Sequence, residues 1–128
     1  MATEKPKILI VDDEADTRSV LSMILSGETS DARISEAENG EQACLLFRVE
    51  SFDLVLLDVD MPKLDGWQTL KNMREGNSSH NQDAKIVMVT GHNSVDDRKR
   101  ALELGANGFV YKPFESQEIG RLLTTLGD

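Results

Sequence analysis

The chain has 128 residues, the size of one domain around one hydrophobic core, with the 39% hydrophobic and 29% charged content of a soluble globular protein. Its 14 basic and 23 acidic side chains leave a net charge of −9, which disfavours general attraction to nucleic-acid phosphates and favours cationic partners, a divalent metal among them. No apolar run approaches the ~20 residues that cross a bilayer, the stretch from Met1 to Lys7 lacks the apolar segment of a secretion signal, and the single Cys44 cannot form an internal disulfide. A cytoplasmic protein with no membrane partner is expected.

The elements follow in order. Lys7–Asp12 (KILIVD) is an apolar run that ends in acid. Thr17–Ser26 carries Val20, Leu21, Ile24 and Leu25 on one helical face, with Gly27 placed to stop the helix. Ala32–Ala37 (ARISEA) mixes polar and apolar residues as an edge strand would. Gly40–Val49 is helix-like, with Ala43, Leu46 and Phe47 as core positions and Cys44 as a small apolar residue. Asp53–Asp58 (DLVLLD) is a second buried run ending in acid. Asp65–Glu75 spaces Trp67, Leu70 and Met73 at helical intervals. The segment Gly76–Asp83 (GNSSHNQD) reads as the least structured part of the chain, a mobile loop. Lys85–Thr90 (KIVMVT) is a third run. Val95–Leu104 is a helix with a thin apolar stripe, chiefly Val95, Leu102 and Leu104, followed by Gly105. Asn107–Lys112 (NGFVYK) is a fourth run, and Ile119, Leu122, Leu123 and Leu126 mark a last amphipathic helix.

This is a pattern of five βα units. Continuous apolar strands alternating with helices predict a parallel sheet covered on both faces, and right-handed crossovers make that a three-layer α/β sandwich. The polar strand Ala32–Ala37 belongs at an edge.

Four strands end in polar residues: Asp12 with Asp13, Asp58, Thr90 and Lys112. In open parallel sheets ligands bind just beyond the carboxyl ends of the strands, so these positions converge on one surface. Any single Asp there is adequately explained as a turn or cap residue. Together they are harder to dismiss. Clustered carboxylates must protonate a member or bind a cation, and hard oxygen ligands select magnesium or calcium. Lys112 and the Thr90 hydroxyl add contacts suited to phosphate oxygens. Asp58 is then placed to attack phosphorus and form an acyl phosphate.

VDDE at Val11–Glu14, LLDVDMPKLDG at Leu56–Gly66, VTG at Val89–Gly91 and YKPF at Tyr111–Phe114 resemble the receiver domain of two-component response regulators, and EAENGEQA at Glu36–Ala43 matches the family's habit after its second strand. The resemblance runs from Lys7 to about Leu126 and treats residues 1–128 as a single receiver domain with no output domain inside the chain. It implies the flavodoxin-like, chemotaxis-regulator sheet order 2-1-3-4-5 with five helices. It implies a magnesium ion held by Asp12, Asp13, Asp58 and the backbone carbonyl of Asp60, Asp13 directly and Asp12 through water. It implies that Asp58 takes a phosphoryl group from a phosphohistidine on a sensor histidine kinase or histidine phosphotransfer domain, that Lys112 pairs with Asp58 or its phosphate, and that the Lys112–Pro113 bond is cis. Thr90 and Tyr111 would form the switch, Thr90 moving to the phosphoryl group as Tyr111 turns inward, and the surface of the fourth helix, fifth strand and fifth helix would carry the output. By this resemblance the domain is a signalling switch that assists its own phosphorylation and dephosphorylation, not a conventional enzyme.

Other features weigh less. Asp60 and His92 occupy positions that tune phosphate lifetime in the family. An acidic Asp60 either orders or repels the attacking water, and His92 is as readily a solvated loop residue. His80 has no signalling role to suggest it. Trp67 reads as core and Arg98–Lys99–Arg100 as a solvated helix face, with no nucleic acid bound. The pair Asp58-x-Asp60 also matches dehalogenase-type phosphatases, but it sits mid-chain and leaves no room for a cap domain. A flavodoxin-like cofactor carrier would want Ser, Thr or Gly where Asp12 and Asp13 stand.

Overall fold

The computed structural model describes residues 6–28, 32–61, 64–76, 81–91 and 95–124. Five strands and five helices alternate: β1 Lys7–Val11, α1 Ala15–Glu28, β2 Arg33–Ala37, α2 Gly40–Val49, β3 Leu54–Asp58, α3 Gly66–Glu75, β4 Lys85–Thr90, α4 Val95–Glu103, β5 Gly108–Tyr111 and α5 Ser116–Thr124. All strand pairs are parallel, and the sheet order is β2-β1-β3-β4-β5. The expected three-layer α/β sandwich and its strand order are observed. β2, the polar strand, lies at one edge as its composition requires, with Arg33 and Glu36 exposed.

Alternation along each strand divides the core into two layers. Leu9, Val11, Val55, Leu57, Ile86 and Met88 face Ala43, Phe47, Trp67, Leu70, Met73 and Ala101 of α2, α3 and α4. Ile8, Ile10, Leu54, Leu56, Val87 and Val89 face Leu21, Leu25 and Ile119 of α1 and α5. β3, paired on both sides, is buried along its entire length.

Local chemistry sets the helix starts. Asn39 caps α2 by accepting from Gln42 N at 2.8 Å, and the Gln42 side chain accepts from Glu38 N at 2.8 Å in return. Asp65 caps α3 by accepting from Gln68 N at 2.9 Å. Gly66 begins α3 where no side chain fits. A Cβ there would run into the Asp58 carbonyl oxygen and come within 2.6 Å of Val59 Cα. Because both obstacles are backbone, Gly66→Ala is expected to cost about 2–3 kcal/mol, the upper part of the overpacking range, in chemical denaturation.

Three expectations are corrected. α1 runs through Gly27 to Glu28 rather than stopping, since one glycine costs only about 1 kcal/mol within a helix anchored by buried Leu21 and Leu25. Val20 is not on the buried face; it is 48% exposed, because the contact with the sheet and α5 takes in Leu21 and Leu25 one position further round. In α4, Val95 and Leu102 point to solvent, Leu104 is half-buried beyond the helix end, and Ala101 is the buried residue. Leu126 lies outside the described residues.

The Gly76–Asp83 segment also holds a surprise. Residues 77–80, His80 among them, lie outside the described residues, but Asn81 is buried and tied down. Its Oδ1 accepts from Phe52 N at 2.7 Å, and its Nδ2 donates to Phe47 O at 2.6 Å and Glu50 O at 2.8 Å. The end of this segment is an anchor for the α2–β3 connection.

Candidate functional site

The carboxyl ends of β1, β3, β4 and β5 bring Asp12, Asp58, Thr90 and Lys112 to one end of the sheet. Asp12 is 1% exposed and Asp58 3% exposed, whereas Asp13 and Asp60 are open to solvent. Asp12, Asp13 and Asp58 each offer a carboxylate oxygen, and these oxygens lie within 4.8 Å of one another. The Lys112 ammonium reaches across from β5, 3.2 Å from Asp12 Oδ2 and 3.2 Å from Asp58 Oδ1.

Backbone contacts hold the acids in place. The Asp12 Oδ1 accepts from Glu14 N at 2.9 Å, a turn that directs the other oxygen at Lys112. Arg18 on α1 donates to Asp12 O at 2.7 Å while its Nε donates to Glu36 at 2.9 Å, joining the ends of β1 and β2. The sequence reading passed over Arg18; its signal is only a cation one and a half turns beyond the paired acids. The Gly66 N–H donates to Val59 O at 3.0 Å and closes the loop that follows Asp58.

Electrostatics at the site are unbalanced. Burial and then the neighbouring Asp12 charge push the Asp58 carboxyl up to about 6, although Lys112 and the Asp60 N–H pull it down. Burial lowers the Lys112 ammonium, but Asp58 and Asp12 outweigh that effect, and its pKa rises. One ammonium is therefore shared by more negative charge than it neutralises. An all-oxygen, anionic set of this kind could hold a hard divalent cation and suits it better than a metal that prefers nitrogen or sulfur. Among the described residues this is the site that pairs buried acids with a cation.

Thr90 is buried at the end of β4, and Tyr111 is its register partner on β5. Lys112 N donates to Thr90 O at 2.7 Å, and the Lys112–Pro113 peptide is cis. The Tyr111 hydroxyl is buried with no hydrogen-bond partner among the described residues. His92 lies outside the described residues. Trp67 is buried as expected. Arg98 and Arg100 are exposed, yet each lies over an aromatic ring, which a reading of the run as simply solvated did not foresee.

This fold and this cluster of strand-end residues are those of a phosphorylation-dependent signalling domain, and the chain belongs to the response regulator receiver domain family, whose model matches residues 8–124. Among its relatives, the "Probable transcriptional regulator ycf27" of Pyropia yezoensis is 42% identical over 119 residues, covering 93% of this chain and 46% of that protein. The "Transcriptional regulatory protein ResD" of Bacillus subtilis (strain 168) is 36% identical over 117 residues, covering 91% of this chain and 46% of that protein. The chain thus spans about half the length of these curated relatives. Among solved structures, the Vibrio cholerae chemotaxis protein CheY4 superposes with a TM-score of 0.85 at 26% identity, covering 95% of this chain and 98% of that one. The receiver domain of Francisella response regulator 1452, at 24% identity with a TM-score of 0.83 and coverage of 95% and 96%, shares the fold.

Proposed function

We propose that Asp58 accepts a phosphoryl group from a phosphohistidine on a sensor histidine kinase or histidine phosphotransfer domain, in a magnesium-dependent step. The observation that carries this reading is the buried Asp12–Asp58 pair sharing one ammonium at the end of the central strand. An Asp58 oxygen forms a bond to phosphorus as the bond from phosphorus to the donor imidazole nitrogen breaks, and the electron pair leaves with that nitrogen. Asp12, Asp13, Asp58 and the Asp60 carbonyl would hold the metal. When bound, magnesium supplies the charge that lets an anionic phosphoryl group approach these acids. Lys112 then pairs with the transferred group, and the Thr90 hydroxyl donates to one of its oxygens. Catalysis is positioning and charge stabilisation with no turnover of a free substrate.

The signal passes from Thr90 to Tyr111, its neighbour in register, and on to the surface of α4, β5 and α5. The names of the relatives favour an output in transcription, delivered through a partner or segment beyond the receiver fold.

The direct test is intact mass after incubation with a small phosphoryl donor and magnesium. Wild type is expected to gain one phosphoryl group and Asp58→Ala none. An unchanged wild-type mass, or an equal gain in Asp58→Ala, removes the acceptor assignment.

A further inference from the structure

Helix α4 has little apolar anchorage. Ala101 is its one buried residue among those described, and its two larger apolar side chains, Val95 and Leu102, are 80% and 67% exposed. Burial of apolar surface is the usual force that docks a helix, so α4 must be docked largely by other contacts. The Arg98 guanidinium lies 5.5 Å from the centroid of the Tyr111 ring, and the Arg100 guanidinium lies 4.7 Å from that of Trp67. Both distances fall within the range of cation–π attraction. The two rings are joined by a third. Trp67 and Phe109 are 6.5 Å apart at 36°, and Phe109 and Tyr111 are 5.3 Å apart at 51°. A row of aromatic rings therefore runs from the start of α3 to the end of β5, and α4 places an arginine on each end.

Those ends are informative. Trp67 follows Gly66, which is bonded to Val59 in the loop after Asp58. Tyr111 is the register partner of Thr90. The Tyr111 hydroxyl has no hydrogen bond among the described residues, and its ring is contacted by the Arg98 guanidinium and the tilted Phe109 ring. The other end of α4 is secured differently. Gly105, at φ +99°, turns the chain there, and its carbonyl accepts from Arg74 Nε at 2.9 Å. Arg74 also donates to Ala84 O at 3.1 Å and Asn107 Oδ1 at 2.7 Å, fixing that corner to α3 and β4.

We propose that Arg98 and Arg100 form a two-point cation–π latch that docks α4 and ties its position to Tyr111 and Trp67. The corner at Gly105 is the fixed end, and release of the rings opens the helix from its Arg98 end. Such contacts are weak at exposed sites, shifting an opening equilibrium by roughly 2- to 5-fold each, and so can exchange readily. The link to signalling rests on the phosphoacceptor reading; the latch itself is a property of the unphosphorylated chain.

Hydrogen exchange of Val95–Glu103, followed by mass spectrometry, tests it. Arg98→Ala and Arg100→Ala are each expected to raise exchange there roughly 2- to 5-fold, and the double variant by about the product, with β1 and β3 unchanged. Lysine at either position should retain part of the protection, because it keeps the charge and loses the flat face. With magnesium and fluoroberyllate, wild-type α4 exchange should change, whereas the double variant should bind the analogue, seen as a raised melting temperature, with no α4 response. Exchange in the double variant equal to wild type overturns the latch, as does a uniform rise across the sheet. If fluoroberyllate does not raise the wild-type melting temperature, the phosphoacceptor reading fails, and the unligated comparison alone decides the latch.

Discussion

Asp58→Asn is expected to stabilise the metal-free protein at pH 7 by on the order of 1–3 kcal/mol while abolishing phosphoryl transfer. The Asp58 carboxyl titrates near 6 in the folded chain, above its ordinary value of 3.8, because burial and Asp12 disfavour its charge. Between those two values the folded state binds more protons than the unfolded state, so stability falls as pH rises from about 4 to about 6 and then levels off. The neutral amide removes the charge that causes this decline. Denaturant melts in chelator should show the wild-type decline through that window and a flatter profile in Asp58→Asn. A profile equally steep in both proteins would show that Asp58 is not the group responsible. Millimolar magnesium should reverse the ranking, raising the melting temperature of wild type more than that of the variant, since a ligand bound only by the folded state adds about 2.7 kcal/mol at 100 times its dissociation constant.

Asn81→Ala should destabilise the chain by roughly 3–5 kcal/mol, a large part of the 5–15 kcal/mol typical of a domain. The substitution strands three backbone groups, Phe52 N–H and the Phe47 and Glu50 carbonyls, in a buried corner. Asn81→Asp is the sharper variant. It keeps an acceptor for Phe52 but turns a carboxylate oxygen towards two carbonyl oxygens, and it should be at least as harmful as alanine. Urea unfolding midpoints for both variants check this, and an aspartate variant as stable as wild type would show that the amide donor contributes little.

The strands were legible because each buried one is an unbroken apolar run: KILIV, LVLLD and KIVMVT tolerate no other placement in a small soluble domain. The site was legible because its residues stand at the ends of those runs. Arg18, Arg74 and Asn81 were not legible. Each acts on backbone carbonyls or amides brought near only by the fold, and a polar residue that meets three such groups has the same local sequence as one that meets water. The helix faces failed for a related reason. Val20 and Leu21 are neighbours in sequence but about 100° apart around α1, and the width of the contact decides which is buried. In α4 the thin apolar stripe correctly signals weak anchorage, but nothing in it shows that the arginines beside it cover aromatic rings.

The burial of β3 also determines where a signal can appear. Asp58 terminates a strand that is hydrogen-bonded on both sides and buried along its length, so the proposed acceptor is seated on the most enclosed strand of the sheet. If a charge is added there, the pairing on both sides leaves the strand little room to shift. On the proposed reading, any displacement is taken up at the neighbouring strand ends of β4 and β5, where Thr90 and Tyr111 pair. A rigid seat thereby turns a local change of charge into motion elsewhere.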